Sequence, residues 1–97
     1  MYYGFNHTAG MGVTDSHGNR IGTVQTFATK TERDKWADNR RNEKIDAETA
    51  RTEMIRTIRY AIRGGMFNDN AHGYRVPEEL RYLPMSHIAE LYAECDI

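Results

Sequence analysis

The chain predicts an α+β fold, a small antiparallel sheet of 2-3 strands from the N-terminal third, packed by three or four helices in a single domain over residues 1–97. Three observations predict it. Apolar residues alternate at period two near the N-terminus, with Tyr3 and Phe5 on one face. A glycine-bearing turn, Asp15-Ser16-His17-Gly18-Asn19, feeds the apolar-polar run Arg20 to Phe27. From Thr29 onward the period changes to that of charged, capped helices.

The elements follow in order. Tyr2 to Asn6 reads as a strand, and after Thr8-Ala9-Gly10 the same parity continues through Met11 and Val13. The return strand, Arg20 to Thr26, is expected to pair antiparallel with Met11 to Thr14. Its alternation is imperfect, because Val24 has the opposite parity to Ile21 and Phe27, which implies either a bulge near Gly22 or cover on both faces. Thr29 and Glu32 have capping-box spacing, so a first helix is expected from Lys30 to about Asn42. Trp36 anchors it, with Arg33 and Arg40 one turn either side to lie over the indole. Asp46 is a good N-cap for a second helix, whose Ala47, Ala50, Met54, Ile58, Ala61 and Ile62 share one arc and which Gly64-Gly65 ends. Met66 to Tyr74 reads as a loop anchored by Phe67 and Tyr74. A short helix follows Pro77, Pro84 interrupts it, and a last helix from Met85 to Glu94 places Ile88, Leu91 and Tyr92 on one face.

Composition sets the class. A chain of 97 residues with 39% hydrophobic and 28% charged residues is neither disordered nor a membrane protein, and it can bury one modest core. No apolar run approaches the roughly 18 residues of a membrane span, and no secretory leader is visible, so a cytoplasmic location is expected. The formal sequon Asn6-His7-Thr8 is then expected to be inert. The lone Cys95 agrees, since it can make no internal disulfide, and its acidic neighbours Glu94 and Asp96 are expected to raise its pKa. The net charge of −1 conceals an uneven distribution: residues 1–28 carry none, residues 29–63 carry +3 and residues 64–97 carry −4. Such asymmetry fits either two solvated faces or ends that meet different partners.

No catalytic, cofactor or metal site is expected. His7, His17, His72 and His87 have no ligand spacing, and the glycines of the N-terminal third precede no helix in phosphate-loop spacing. Two charged surfaces remain as candidates. Arg56, Arg59 and Arg63 border the apolar arc of the second helix and could track phosphates, although Glu53 lies one turn from Arg56 and would neutralise part of the stripe. In the opposite sense, Asp34 and Asp38 on the first helix with Glu78, Glu79, Glu90 and Glu94 could imitate a phosphate backbone. The bland reading of Glu78 and Glu79 is that they complement their helix dipole.

The combination of Tyr3-Gly4-Phe5-Asn6, Gly18-Asn19-Arg20-Ile21-Gly22 and the run from Phe27-Ala28-Thr29 through Glu32-Arg33-Asp34-Lys35-Trp36 resembles small phage and mobile-element proteins found among anti-CRISPR genes. In those, a short hairpin likewise runs into a phenylalanine, a threonine or serine cap and a Glu-Arg-Asp-x-Trp helix. The likeness spans about the first forty residues and is structural, so no family binding residue transfers; residues 43–97 match no family pattern. The resemblance implies a non-enzymatic inhibitor without a cofactor, acting in the bacterial cytoplasm on Cas protein subunits of a CRISPR surveillance complex, a type I complex being favoured. It would block target DNA binding, with the six acidic residues as DNA mimic. The alternative is a small phage DNA-binding or regulatory module using Arg56, Arg59 and Arg63, and a third is an assembly protein with no separable active surface.

Overall fold

Tyr, Phe and His at alternate positions give the first strand one strongly apolar face, and that strand becomes the middle of the sheet. In the computed structural model, which describes residues 1–64 and 77–95, the elements are β1 (Tyr2–His7), β2 (Gly22–Phe27), α1 (Lys30–Trp36), β3 (Asn42–Ile45), α2 (Ala47–Arg63), a 3-10 helix (Pro77–Tyr82) and α3 (Met85–Glu94). The fold is α+β, with an antiparallel sheet in the order β2-β1-β3. The loop expected from Met66 to Tyr74 lies outside the described residues. The chain divides into two compact units, Met1–Ala50 and Arg51–Ile97.

In the first unit, the ladder runs from Tyr2↔Phe27 to His7↔Gly22 on one side of β1 and from Tyr3↔Ile45 to Asn6↔Asn42 on the other. Side chains alternate along each strand, so Tyr3, Phe5, Val24 and Ile45 share one face, and all four are buried. Tyr2, Gly4 and Phe27 belong to the opposite face, which α1 covers. There the Trp36 ring lies 5.1 Å from Phe27, and the Arg33 guanidinium stands 5.4 Å over Tyr2. β2 thus packs an apolar residue on each face, Val24 on one and Phe27 on the other, and the ladder is continuous to Gly22; this is the cause of its imperfect alternation. Gly4 allows the close approach of α1, because a methyl there would stand 2.9 Å from Trp36 Cη2.

Three expectations are corrected. The segment Met11 to Thr14 is no strand partner for Arg20 to Thr26, since β2 pairs with β1 and only the Thr14↔Arg20 bridge survives. Gly10 and Gly12 take positive φ and turn the chain out of the sheet, leaving Met11 and Val13 exposed. The first helix stops at Trp36 instead of Asn42. Asn42 instead enters β3, where its side-chain Nδ2 donates to Trp36 O at 2.8 Å and its Oδ1 accepts from Asn6 at 2.6 Å. A buried amide thus closes the helix and opens a strand, a use of Asn that helical periodicity cannot reveal. Lastly, neither arginine lies over the indole as expected: Arg33 stands over Tyr2, and Arg40 falls in the turn beyond α1.

The local expectations hold. Asp15 Oδ1 accepts from the backbone of His17 and Asn19, both at 2.9 Å, which closes the Asp15–Asn19 turn. Thr29 Oγ1 accepts from Glu32 N at the start of α1, and Asp46 Oδ1 accepts from Thr49 N at the start of α2.

In the second unit, Met54 and Ile58 of α2, Leu80, and Ile88 and Leu91 of α3 are each at most 2% exposed. Burial of side chains this size stabilises by roughly 1.5–3 kcal/mol each before ordering costs are counted. Arg51 donates to the carbonyls of Arg81 and Leu83 at 2.8 and 2.6 Å, which ties the end of the 3-10 helix and the residue before Pro84 to α2. Cys95 is buried, its thiol donates to Leu91 O, and burial followed by the Glu94 charge pushes its pKa up.

Replacing Gly4 by Ala is expected to destabilise the protein by about 1–3 kcal/mol, the usual cost of forcing a methyl into a filled space. Thermal unfolding followed by tryptophan fluorescence checks this, and the native emission of Trp36 should shift as the ring is displaced.

Candidate functional site

The acidic residues divide by what their elements do with them. Asp34 lies on α1 facing β3, where its Oδ1 accepts from Arg33 Nε at 3.1 Å and stands 3.7 Å from Lys44 Nζ. Partial burial pushes its pKa up, but the Arg33 hydrogen bond and the charges of Lys44, Arg33 and Lys30 outweigh it and the net shift is downward. Asp34 is thus held inside an ion cluster and presents little free charge. Asp38 lies past the end of α1, exposed in the turn, so it does not extend a helical acidic face with Asp34.

In the second unit, Glu90 and Glu94 are exposed one turn apart on α3, whose buried side carries Ile88 and Leu91. Glu78 and Glu79 occupy the start of the 3-10 helix. The structure therefore brings together Glu90 and Glu94 as a pair on one rigid helix.

The arginine stripe is unequal along its length. Arg56 forms an i,i+3 ion pair with Glu53, as their spacing suggests. Arg59 is half-buried, and its Nε is buried without an acceptor among the described residues. Arg63 is exposed in the last turn of α2, where a cation complements the carbonyl end of the helix dipole.

Two features escaped the sequence. His7, 5% exposed, donates from Nε2 to Glu43 Oε1 at 2.8 Å, and Arg20 Nε approaches the same oxygen at 3.4 Å. This network joins β1, β3 and the turn before β2, and it packs beside Phe5, whose ring is 4.9 Å from the imidazole. No group of three potential metal ligands forms among the described residues. The second feature is an open groove of about 770 Å³ lined by Gly10, Met11, Asp38, Asn39, Arg40 and Arg41. The doublet Arg40-Arg41 between the turn formers Asn39 and Asn42 is the visible signal, within a charged run whose pattern otherwise suits a helix. No family model, curated protein or solved structure matches the chain.

Asp15, Asp34 and Asp46 all have pKa values lowered from 3.8: the leading causes are the Asn19 backbone bond for Asp15, Arg33 overcoming burial for Asp34, and the Thr49 backbone bond for Asp46. A lowered folded-state pKa means that the unfolded chain binds more protons near its own pKa, so stability rises with pH there. That contribution is complete above about pH 4–5 and is lost as pH falls through the lowered values. Asp46→Asn keeps a capping oxygen but removes the titration. The expected result is near-native stability at pH 7 with a shallower loss below about pH 4, read by chemical denaturation at several pH values.

Proposed function

We propose that this chain is a stoichiometric inhibitor of a bacterial CRISPR surveillance complex of type I, binding a Cas subunit and blocking access of target DNA. The observation that carries the reading is the solvent face of α3. Glu90 and Glu94 are exposed one turn apart on a helix anchored by its buried Ile88 and Leu91. Carboxylates on a rigid helix present fixed negative charge to a basic DNA path with little ordering cost. The resemblance of the first forty residues to anti-CRISPR proteins supports the same reading. The exposed Tyr82 in the same unit adds a residue type that dominates protein–protein hot spots. A bacterial cytoplasmic site of action belongs to the proposal. For the described residues, no helix is long and apolar enough to cross a membrane.

The test mixes the purified chain with reconstituted type I surveillance complexes and measures co-elution and target-DNA binding. The expected outcome is loss of DNA binding at about one equivalent of inhibitor. The double substitution Glu90→Lys, Glu94→Lys should raise the half-inhibitory concentration at least about tenfold, because like charges opposed across an interface cost several kcal/mol. Its thermal stability should stay close to the parent value, since both sites are exposed. No association with any type I complex overturns the reading. Direct, salt-dependent retention of duplex DNA that Arg63→Gln weakens would place the activity on α2 instead.

A further inference from the structure

The groove in the first unit has walls that the fold holds in place. One wall is the turn after β1 and the other is the turn after α1. His7 N donates to Arg41 O at 2.7 Å, Arg41 Nη1 donates to Thr8 O at 3.0 Å, and Gly10 N donates to His7 O at 3.1 Å. Within the second wall, Asn39 Oδ1 accepts from Arg41 N at 2.9 Å and Asn39 O accepts from Asn42 N at 3.1 Å. The two turns are therefore cross-linked and the groove is preformed. Its volume, about 770 Å³, lies in the range of small-molecule sites.

Its charges stay apart, where others among the described residues close onto a neighbour. Arg33 folds onto its neighbour Asp34, and Arg56 onto Glu53. Asp38 and Arg40 are two residues apart and both exposed, yet neither forms an ion pair with the other or with any described residue. Residues at i and i+2 do not face each other on a helix, and here the turn keeps the two signs separate. The groove is thus bipolar: a pair of guanidinium groups, Arg40 and Arg41, and a carboxylate, Asp38.

A complementary ligand carries an anion and, some ångströms away, hydrogen-bond donors. Guanidinium forks match the tetrahedral oxygens of phosphate, and a carboxylate is a good acceptor for the vicinal hydroxyls of ribose. Met11, half-exposed at the rim, offers a polarisable surface for a flat ring, and Gly10 leaves that wall without a side chain. We infer that the groove between the two turns binds a ribonucleoside monophosphate, with Arg40 and Arg41 on the phosphate and Asp38 on the ribose. This is a small-molecule site independent of the acidic face of α3.

The test titrates adenosine and uridine 5′-monophosphates, ribose 5-phosphate, inorganic phosphate and free arginine into isotopically labelled protein. Amide shifts are followed. Saturable shifts at residues 10, 11 and 38–41 with either nucleotide are expected. Arg40→Gln should weaken binding at least about tenfold. Asp38→Asn should reduce the preference for nucleotide over inorganic phosphate, while retaining phosphate binding. Both residues are exposed, so the variants should remain folded, which the unchanged shifts of β1 verify. Absence of saturable shifts at millimolar nucleotide overturns the inference, as does equal affinity for inorganic phosphate alone or an Arg40→Gln variant that binds normally. Tighter binding of free arginine than of either nucleotide would also overturn it, since a zwitterionic amino acid would then be the better match.

Discussion

Gly4 has no side chain, and the Trp36 indole occupies the space where one would stand. The first unit depends on that contact. It lets a seven-residue helix lie close enough to the middle strand for its one large apolar residue to reach Phe27. A helix this short has little intrinsic stability in water, so docking must supply it. Because Trp36 is also the last residue of α1, the end of the helix is positioned directly over the sheet. Asn42 can then reach Trp36 O from β3 while accepting from Asn6 of β1. One aromatic contact and one buried amide bond set the register of the third strand.

The parts of this fold legible in the sequence are those with causes a few residues long. Asp15 organises its turn through bonds to residues two and four positions on, Thr29 caps α1 three residues on, and Asp46 caps α2 in the same way. The bounds of α3 and its buried Ile88 and Leu91 follow from helical period and Pro84. What was hidden has causes at long range. The Asn6–Asn42 and His7–Glu43 bonds each join residues thirty-six positions apart. A four-residue strand with Glu and Lys in it carries no strong pattern of its own, so the charged run after Trp36 reads as more helix. The partner of β2 is hidden for a related reason. Met11 and Val13 keep the parity of β1, but the positive φ of Gly10 and Gly12 breaks the strand before parity matters.

Charge was less legible than structure because a residue count ignores pairing. By count Asp34 belongs to an acidic surface, but Arg33 and Lys44 hold it, and Arg56 is likewise held by Glu53. Ion pairs of this kind remove their members from the field that a partner meets. The segment charge of +3 over residues 29–63 is therefore a poor guide to any face. Glu90 and Glu94 are exposed on a helix that buries Ile88 and Leu91.

The turn after α1 follows from the same accounting. A helix brings oppositely charged neighbours within reach at i,i+3 or i,i+4, as it does Glu53 and Arg56. A turn does not, and Asp38 and Arg40 keep their charges separate because they fall there. The bond from His7 N to Arg41 O that extends the β1–β3 pairing also holds one turn against the other. Shortening α1 at Trp36 is thus what creates both the third strand and the groove. Had the helix continued to Asn42, Asp38 would lie one turn from Asp34 and Arg41 one turn from Asp38, and that last pair would close on itself. The segment that resembles scaffold by its motifs acquires an unpaired, preformed polar surface because its helix is short.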